Sequence, residues 1–420
     1  MKRAPRRVST LSRIPLTGRL RGILSMLLLV LVIVACTPQS APSSSPAQTT
    51  TPAPSRAGSP PTAVPPSSAA PVSPPEPAPS KVPAPQPSNP ALIAVTDAAG
   101  DSLLLVDPGD AEEPVVGSIT VGQAPWDVYA TEGMAFVSTA EGVAVVDVGK
   151  QRRTALIPYL NAPQRLAYGE YRPGGTGIVA SADGTTAYVA VLRTDGTSVL
   201  ERIDVTAGRV TGSVEVGLRP FDILMSPDGS EVYTVDHDSF SVHVVDTETL
   251  KARRIEVAPF GTEGGLASWE KPHYAALDSR GRLLLPFQGL VLAVVDPSSG
   301  AVAVEEMIAN SHEHGAALAD GRLLVVGTGP FGSATGQPNL TLRDLGTGAE
   351  RVLPLDRLHE NALAWTDPAS GRDYALLSGG YTRDGYWSGI TVVDLQTLEL
   401  REIEVPGRPQ ALAAVGHPFD

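Results

Sequence analysis

Residues 91–420 repeat a pattern every 40–50 residues, and that repetition constrains the fold more than anything else in the chain. The clearest unit starts at Arg219. It reads as four short strands: Phe221–Ser226, Glu231–Asp236, Ser241–Asp246 and Arg253–Val257. The turn Ser226-Pro227-Asp228-Gly229 lies between the first two. Ser241-Val-His-Val alternates polar and apolar residues with period two, the mark of a half-buried strand. Comparable units begin near Pro125, Gly175, Pro272, Glu313 and Leu358. Third strands close on Val-Val-Asp at 145–147, 244–246, 294–296 and 392–394. The last unit, from Arg408, supplies one strand, Ala411–Val415. The first region, 91–121, supplies three. One and three complete a sheet, so the expected fold is all-β: a seven-bladed β-propeller of four-stranded blades, closed by the C-terminal strand joining the first blade. A two-sheet sandwich gives no reason for such a repeat.

The N-terminal 90 residues read differently. Residues 1–22 hold seven basic residues and no acid, and Ile23–Ala35 is a short apolar run interrupted only by Ser25. That run is short for a membrane span and suits a signal peptide over 1–35. It ends in Ile33-Val34-Ala35-Cys36, which resembles the lipobox of bacterial lipoproteins, where the cysteine is acylated and becomes the mature N-terminus. The resemblance implies a lipid anchor at Cys36 and an extracytoplasmic location, either periplasm or cell surface. Residues 36–90 are Pro, Ser, Ala and Thr with almost no large apolar residues, a linker unable to bury a core. Extended, it spans on the order of 150 Å.

Charge and cysteine count narrow the partners. The 45 acidic residues all lie outside the leader, which carries 7 of the 32 basic ones. The remainder holds 25 basic residues against 45 acidic, a net charge near −20 that disfavours nucleic acid and suits cations. Cys36 is the single cysteine, so any metal in the folded part is held by His, carboxylate or carbonyl. A monomer is expected.

The seven histidines carry the functional signal. His273, His314 and His359 each stand three residues before the Ala that precedes the Leu of a short apolar strand, at intervals of 41 and 45 residues. In a ring, equivalent positions converge on the axis, and three imidazoles facing one another form a metal site, with zinc the best match. His312, two residues before His314, is a possible fourth ligand. Glu313 and Glu360 are expected to steady the imidazoles, and Asp222 is a remoter candidate. The alternative is structural: such a His bonds a turn Asp and braces its blade. Bracing predicts His in most blades, whereas the matching positions elsewhere hold Trp126, Gly175, Phe221 and Gln410. His237, between two aspartates, is expected in a solvated turn, His243 inside a strand, and His417 in the tail. Gly379–Trp387 is an aromatic, Arg-bearing insertion.

Pro220-Phe-Asp-Ile-Leu-Met-Ser-Pro-Asp-Gly and Val232-Tyr-Thr-Val-Asp resemble the YVTN-type propeller repeat, which implies a seven-bladed bacterial surface or periplasmic protein. Ser311-His-Glu-His-Gly-Ala-Ala, with the His273 and His359 starts, is similar to the β-propeller zinc metallochaperones of zinc ABC importers. That similarity implies a zinc-binding protein that hands metal to a solute-binding protein. It departs from the family in having no His before His237. No Gly-X-Ser-X-Gly elbow or phosphate loop is present. Two other classes stay open: a metal-dependent propeller lactonase or lyase, and a cell-envelope interaction scaffold without metal.

Overall fold

The computed structural model describes residues 92–163, 174–257, 271–287, 290–332, 334–379 and 387–415. Cys36, the leader over 1–35, the linker over 36–90, His417 and residues 380–386 of the aromatic insertion lie outside these residues.

Twenty-eight strands form seven antiparallel four-stranded sheets. Six blades follow chain order from the axis outward: β4–β7 (Val128–Thr131, Met134–Ser138, Val143–Asp147, Arg152–Ile157), β8–β11 (Gly175–Ala180, Thr186–Leu192, Ser198–Asp204, Arg209–Val216), β12–β15 (Pro220–Met225, Glu231–Asp236, Ser241–Asp246, Ala252–Glu256), β16–β19 (Ala276–Leu277, Leu283–Phe287, Val291–Val295, Val302–Glu306), β20–β23 (Glu313–Ala319, Arg322–Gly327, Asn339–Asp344, Glu350–Pro354) and β24–β27 (Asn361–Thr366, Asp373–Ser378, Ile390–Asp394, Leu400–Ile403). The remaining blade is shared by the two ends of the domain: β28 (Pro409–Val415) pairs with β1 (Leu92–Asp97), followed by β2 (Ser102–Val106) and β3 (Val115–Thr120). Leu92 faces Val415 and Ala94 faces Ala413 across that seam. The seven-bladed ring and its closure are as the repeat predicts.

Burial follows position in the blade. The middle strands are apolar on both faces because both face a neighbouring blade: β2 and β17 are buried at every position. Each such Val or Leu contributes about 1.5–3 kcal/mol of burial. The outermost strands alternate or face water, as in β11, Arg-Val-Thr-Gly-Ser-Val-Glu-Val.

The hairpin after each third strand has one chemical cause. An aspartate carboxylate accepts backbone N–H groups from the turn that follows it. Asp147 takes Lys150 (2.9 Å), Asp246 takes Thr249 (2.7 Å), Asp296 takes Ser298 (2.9 Å) and Asp394 takes Thr397 (2.9 Å). Asp107, Asp204 and Asp344 do the same in the three blades whose third strand lacks the Val-Val-Asp ending.

Bulges at the entry of the innermost strands set the direction of the side chains there. In β12 the register shifts between Pro220 and Asp222, leaving Phe221 as the extra residue. In β20 it shifts between Glu313 and Gly315, leaving His314 as the extra residue. A bulge bends its strand and re-aims the inserted side chain. These two residues therefore break the strict in-out alternation of the strand.

Candidate metal centre at one channel mouth

The N-terminal ends of the innermost strands share one end of the ring. Four histidines gather there, all buried: His237, His273, His312 and His314. His273, in the lead-in to β16, is the hub. Its ring lies 3.9 Å from His314 (23° between planes), 4.7 Å from His237 and 5.2 Å from His312, centroid to centroid. Phe221 packs edge-on against His273 at 4.8 Å and His314 at 5.7 Å, and against His237 at 5.4 Å. His312 also meets Phe331 at 5.1 Å.

Hydrogen bonds orient three of these rings. His314 Nδ1 lies 3.2 Å from the Glu360 carbonyl, which can only accept, so Nδ1 carries the proton. The Thr328 hydroxyl donates to the His312 carbonyl (3.2 Å), so at 3.0 Å it accepts from His312 Nδ1. His237 Nδ1 donates to Asp238 Oδ1 at 2.8 Å. In their neutral forms all three therefore carry the lone pair on Nε2. This second-atom anchoring is the arrangement that raises imidazole basicity and steadies a ligand.

Asp238 anchors one side of the cluster. It takes Lys271 Nζ at 2.7 Å and Arg219 Nη1 at 3.1 Å as well as His237. Burial alone would raise its carboxyl, but the hydrogen bonds and charges of His237 and Lys271 outweigh that and hold it well below the usual range.

The structure brings together His273, His314 and His312 and places His359 elsewhere. His359 Nδ1 donates to the Arg357 carbonyl (3.0 Å), and Nε2 accepts from the Thr391 hydroxyl (2.9 Å). Its ring packs on Trp387 at 5.8 Å. Burial lowers its pKa to about 4, keeping it neutral. Both nitrogens are thus committed within its own blade. Glu360 reaches the cluster through its carbonyl, while its carboxylate accepts Gln410 Nε2 at 2.9 Å. Glu313 Oε1 accepts the Ser311 N–H at 3.1 Å.

His237 corrects the expectation of a solvated turn: it is 3% exposed. The reason is topological. Asp236 pairs with Pro220 at the entry of β12, so the turn after β13 returns to the same mouth and folds over it. The Asp236-His237-Asp238 composition was the available signal, and antiparallel pairing of the first two strands was the missing step. His243 sits in β14 with Nδ1 2.7 Å from Asp236 Oδ2, a bond within the blade.

Among the described residues no three His, Cys, Asp or Glu groups converge as a preformed metal site. The stacked pair explains this: nitrogens of face-to-face rings point sideways, not to a common point.

No family model matches the chain, and no curated protein matches it. Among solved structures the chain is similar to hydrazine synthase of Kuenenia stuttgartiensis, at 17% identity, covering 69% of this chain and 89% of that one, with a TM-score of 0.51. At that identity the likeness speaks for the fold alone. The chain is a seven-bladed β-propeller with a buried histidine cluster at one channel mouth.

Proposed function

We propose that this propeller binds a metal ion of the zinc class through His273, His314, His312 and His237. The observation that carries the reading is the anchoring of three Nδ1 groups, on a carboxylate, a hydroxyl and a carbonyl, around the central His273. A buried cluster of four imidazoles needs a reason, and a shared cation supplies one. The acidic surface suits recruitment of cations. The bracing alternative fits His359 and His243, each bonded within its own blade.

The wider setting belongs to the same proposal. A signal peptide and an acylated Cys36 tether the protein outside the cytoplasm, as a YVTN-like lipoprotein. The similarity of Ser311–Ala317 to zinc metallochaperones favours delivery to a zinc-importer solute-binding protein over catalysis.

Zinc titration of the untagged full chain tests this. His273→Ala/His314→Ala and His237→Ala should each weaken binding by about 10–100-fold or more, while His359→Ala changes it less than about threefold. Wild-type affinity in the His237→Ala/His273→Ala/His314→Ala variant would sink the proposal.

A further inference from the structure

A cavity of about 330 Å³ fills the centre of the ring, and all seven innermost strands or their lead-ins contribute to its wall. At the histidine end, Trp126, Phe221 and Tyr274 pack into one buried cluster, Phe221 meeting Trp126 at 6.2 Å and Tyr274 at 5.6 Å, and Tyr274 lines the cavity. Farther along the strands, Leu224, Met225 and Leu412 are only half-buried, so the cavity meets solvent at the opposite end.

Two carboxyl groups, Asp127 and Asp222, line this cavity together with Tyr129, Tyr274, Asn361 and a set of aliphatic side chains. Asp127 accepts the N–H groups of Val128 and Ile178, each at 2.9 Å, and Asp222 accepts that of Ala275 at 3.0 Å. Both retain some accessible surface, as residues facing a cavity do. The ion pairs of the described residues engage other aspartates and leave both of these without a basic partner. Carboxylates this deep in a protein are ordinarily offset by a cation. Without one, burial pushes Asp127 up to about 7, and burial together with the charge of Asp127 raises Asp222 well above the usual range.

We propose that the central cavity binds a small monoamine as its ammonium ion, the charged head at Asp127 and Asp222 and the apolar body against Ile178, Ile223 and Ala316. The ammonium supplies the missing counter-charge, and its N–H groups can donate to carboxylate lone pairs that the backbone leaves available. The volume lies at the lower end of the range for small-molecule sites, about 300–1,000 Å³. A hard divalent ion suits this wall poorly. Calcium takes about 6–8 oxygen ligands, and magnesium needs near-octahedral oxygen coordination, whereas the carboxyls here are flanked by Val128, Ile178, Ile223 and Ala275.

Calorimetric titration of the full chain in metal-free buffer at pH 8 tests the site, with ethylamine, butylamine, benzylamine and phenethylamine as probes. Benzyl alcohol and calcium chloride serve as controls. At least one amine should bind one to one. Benzyl alcohol should bind at least tenfold more weakly than benzylamine. Asp127→Asn and Asp222→Asn should each cost the amine at least tenfold, and His273→Ala should leave it unchanged. Should the Asn variants fail to fold by circular dichroism, Ala316→Leu, which fills the cavity and keeps both carboxyls, must abolish amine binding. The proposal is overturned if none of the amines binds, if benzyl alcohol matches benzylamine, if calcium binds and the amines do not, or if Ala316→Leu binds as wild type.

Discussion

Asp127 and His314 show how a single residue's setting decides its chemistry. Asp127 is held deep in the ring with its charge resisted by burial, and its pKa stands at about 7. An unfolded aspartate titrates near about 3.9. The folded state therefore binds the extra proton between those values, so this group's contribution is fully present below about 4 and is lost as pH rises through about 7. Asp127→Asn removes the dependence. Its stability should fall less between pH 5 and pH 8 than that of the wild type, by roughly 2–3 kcal/mol, read from urea unfolding. An unchanged drop would show that Asp127 does not titrate there. Repeat spacing pointed to His273 and His314 at one mouth, and His312 followed from its place two residues before His314. It could not exclude His359, whose fate depends on Thr391 and the Arg357 carbonyl, contacts created by folding. Nor did spacing disclose His237, whose place follows from strand pairing rather than from its equivalence to the other three.

At the scale of the element, the innermost strands work through close approach. Gly315 follows His314 in β20, and a Cβ at that position would sit 2.6 Å from the Glu360 carbonyl oxygen of the neighbouring blade. That same oxygen accepts His314 Nδ1. Gly177 in β8 plays the matching part, where a Cβ would lie 2.7 Å from the Ile223 nitrogen. Gly315→Ala must therefore push β20 away from β24. It should cost about 1–3 kcal/mol in urea unfolding and weaken zinc binding; a wild-type midpoint would show that the blades do not meet this tightly. Strand bounds were largely legible: Glu231–Asp236 and Ser241–Asp246 coincide with β13 and β14. The bulges were not, because a bulge is a mismatch in pairing between two strands and neither strand's own sequence shows it, and it is the bulge that sets the direction of Phe221 and His314.

The ring as a whole makes the mouth possible. Four histidines from three blades meet because β12, β16 and β20 enter the same end of one closed structure, sealed by β28 against β1. Counting one strand at the C-terminus and three at the start was enough to foresee that seal. The central cavity was not foreseeable, since its size depends on how closely seven strands approach one axis. X-ray absorption at the zinc edge, on untagged full-length protein loaded with one equivalent of zinc, tests whether the four histidines bind the metal. Zinc held by the cluster gives a nitrogen-rich shell with imidazole scattering that is lost in His273→Ala/His314→Ala and preserved in His359→Ala. The same imidazole signal in the double variant, or its loss in His359→Ala, would contradict binding by the cluster.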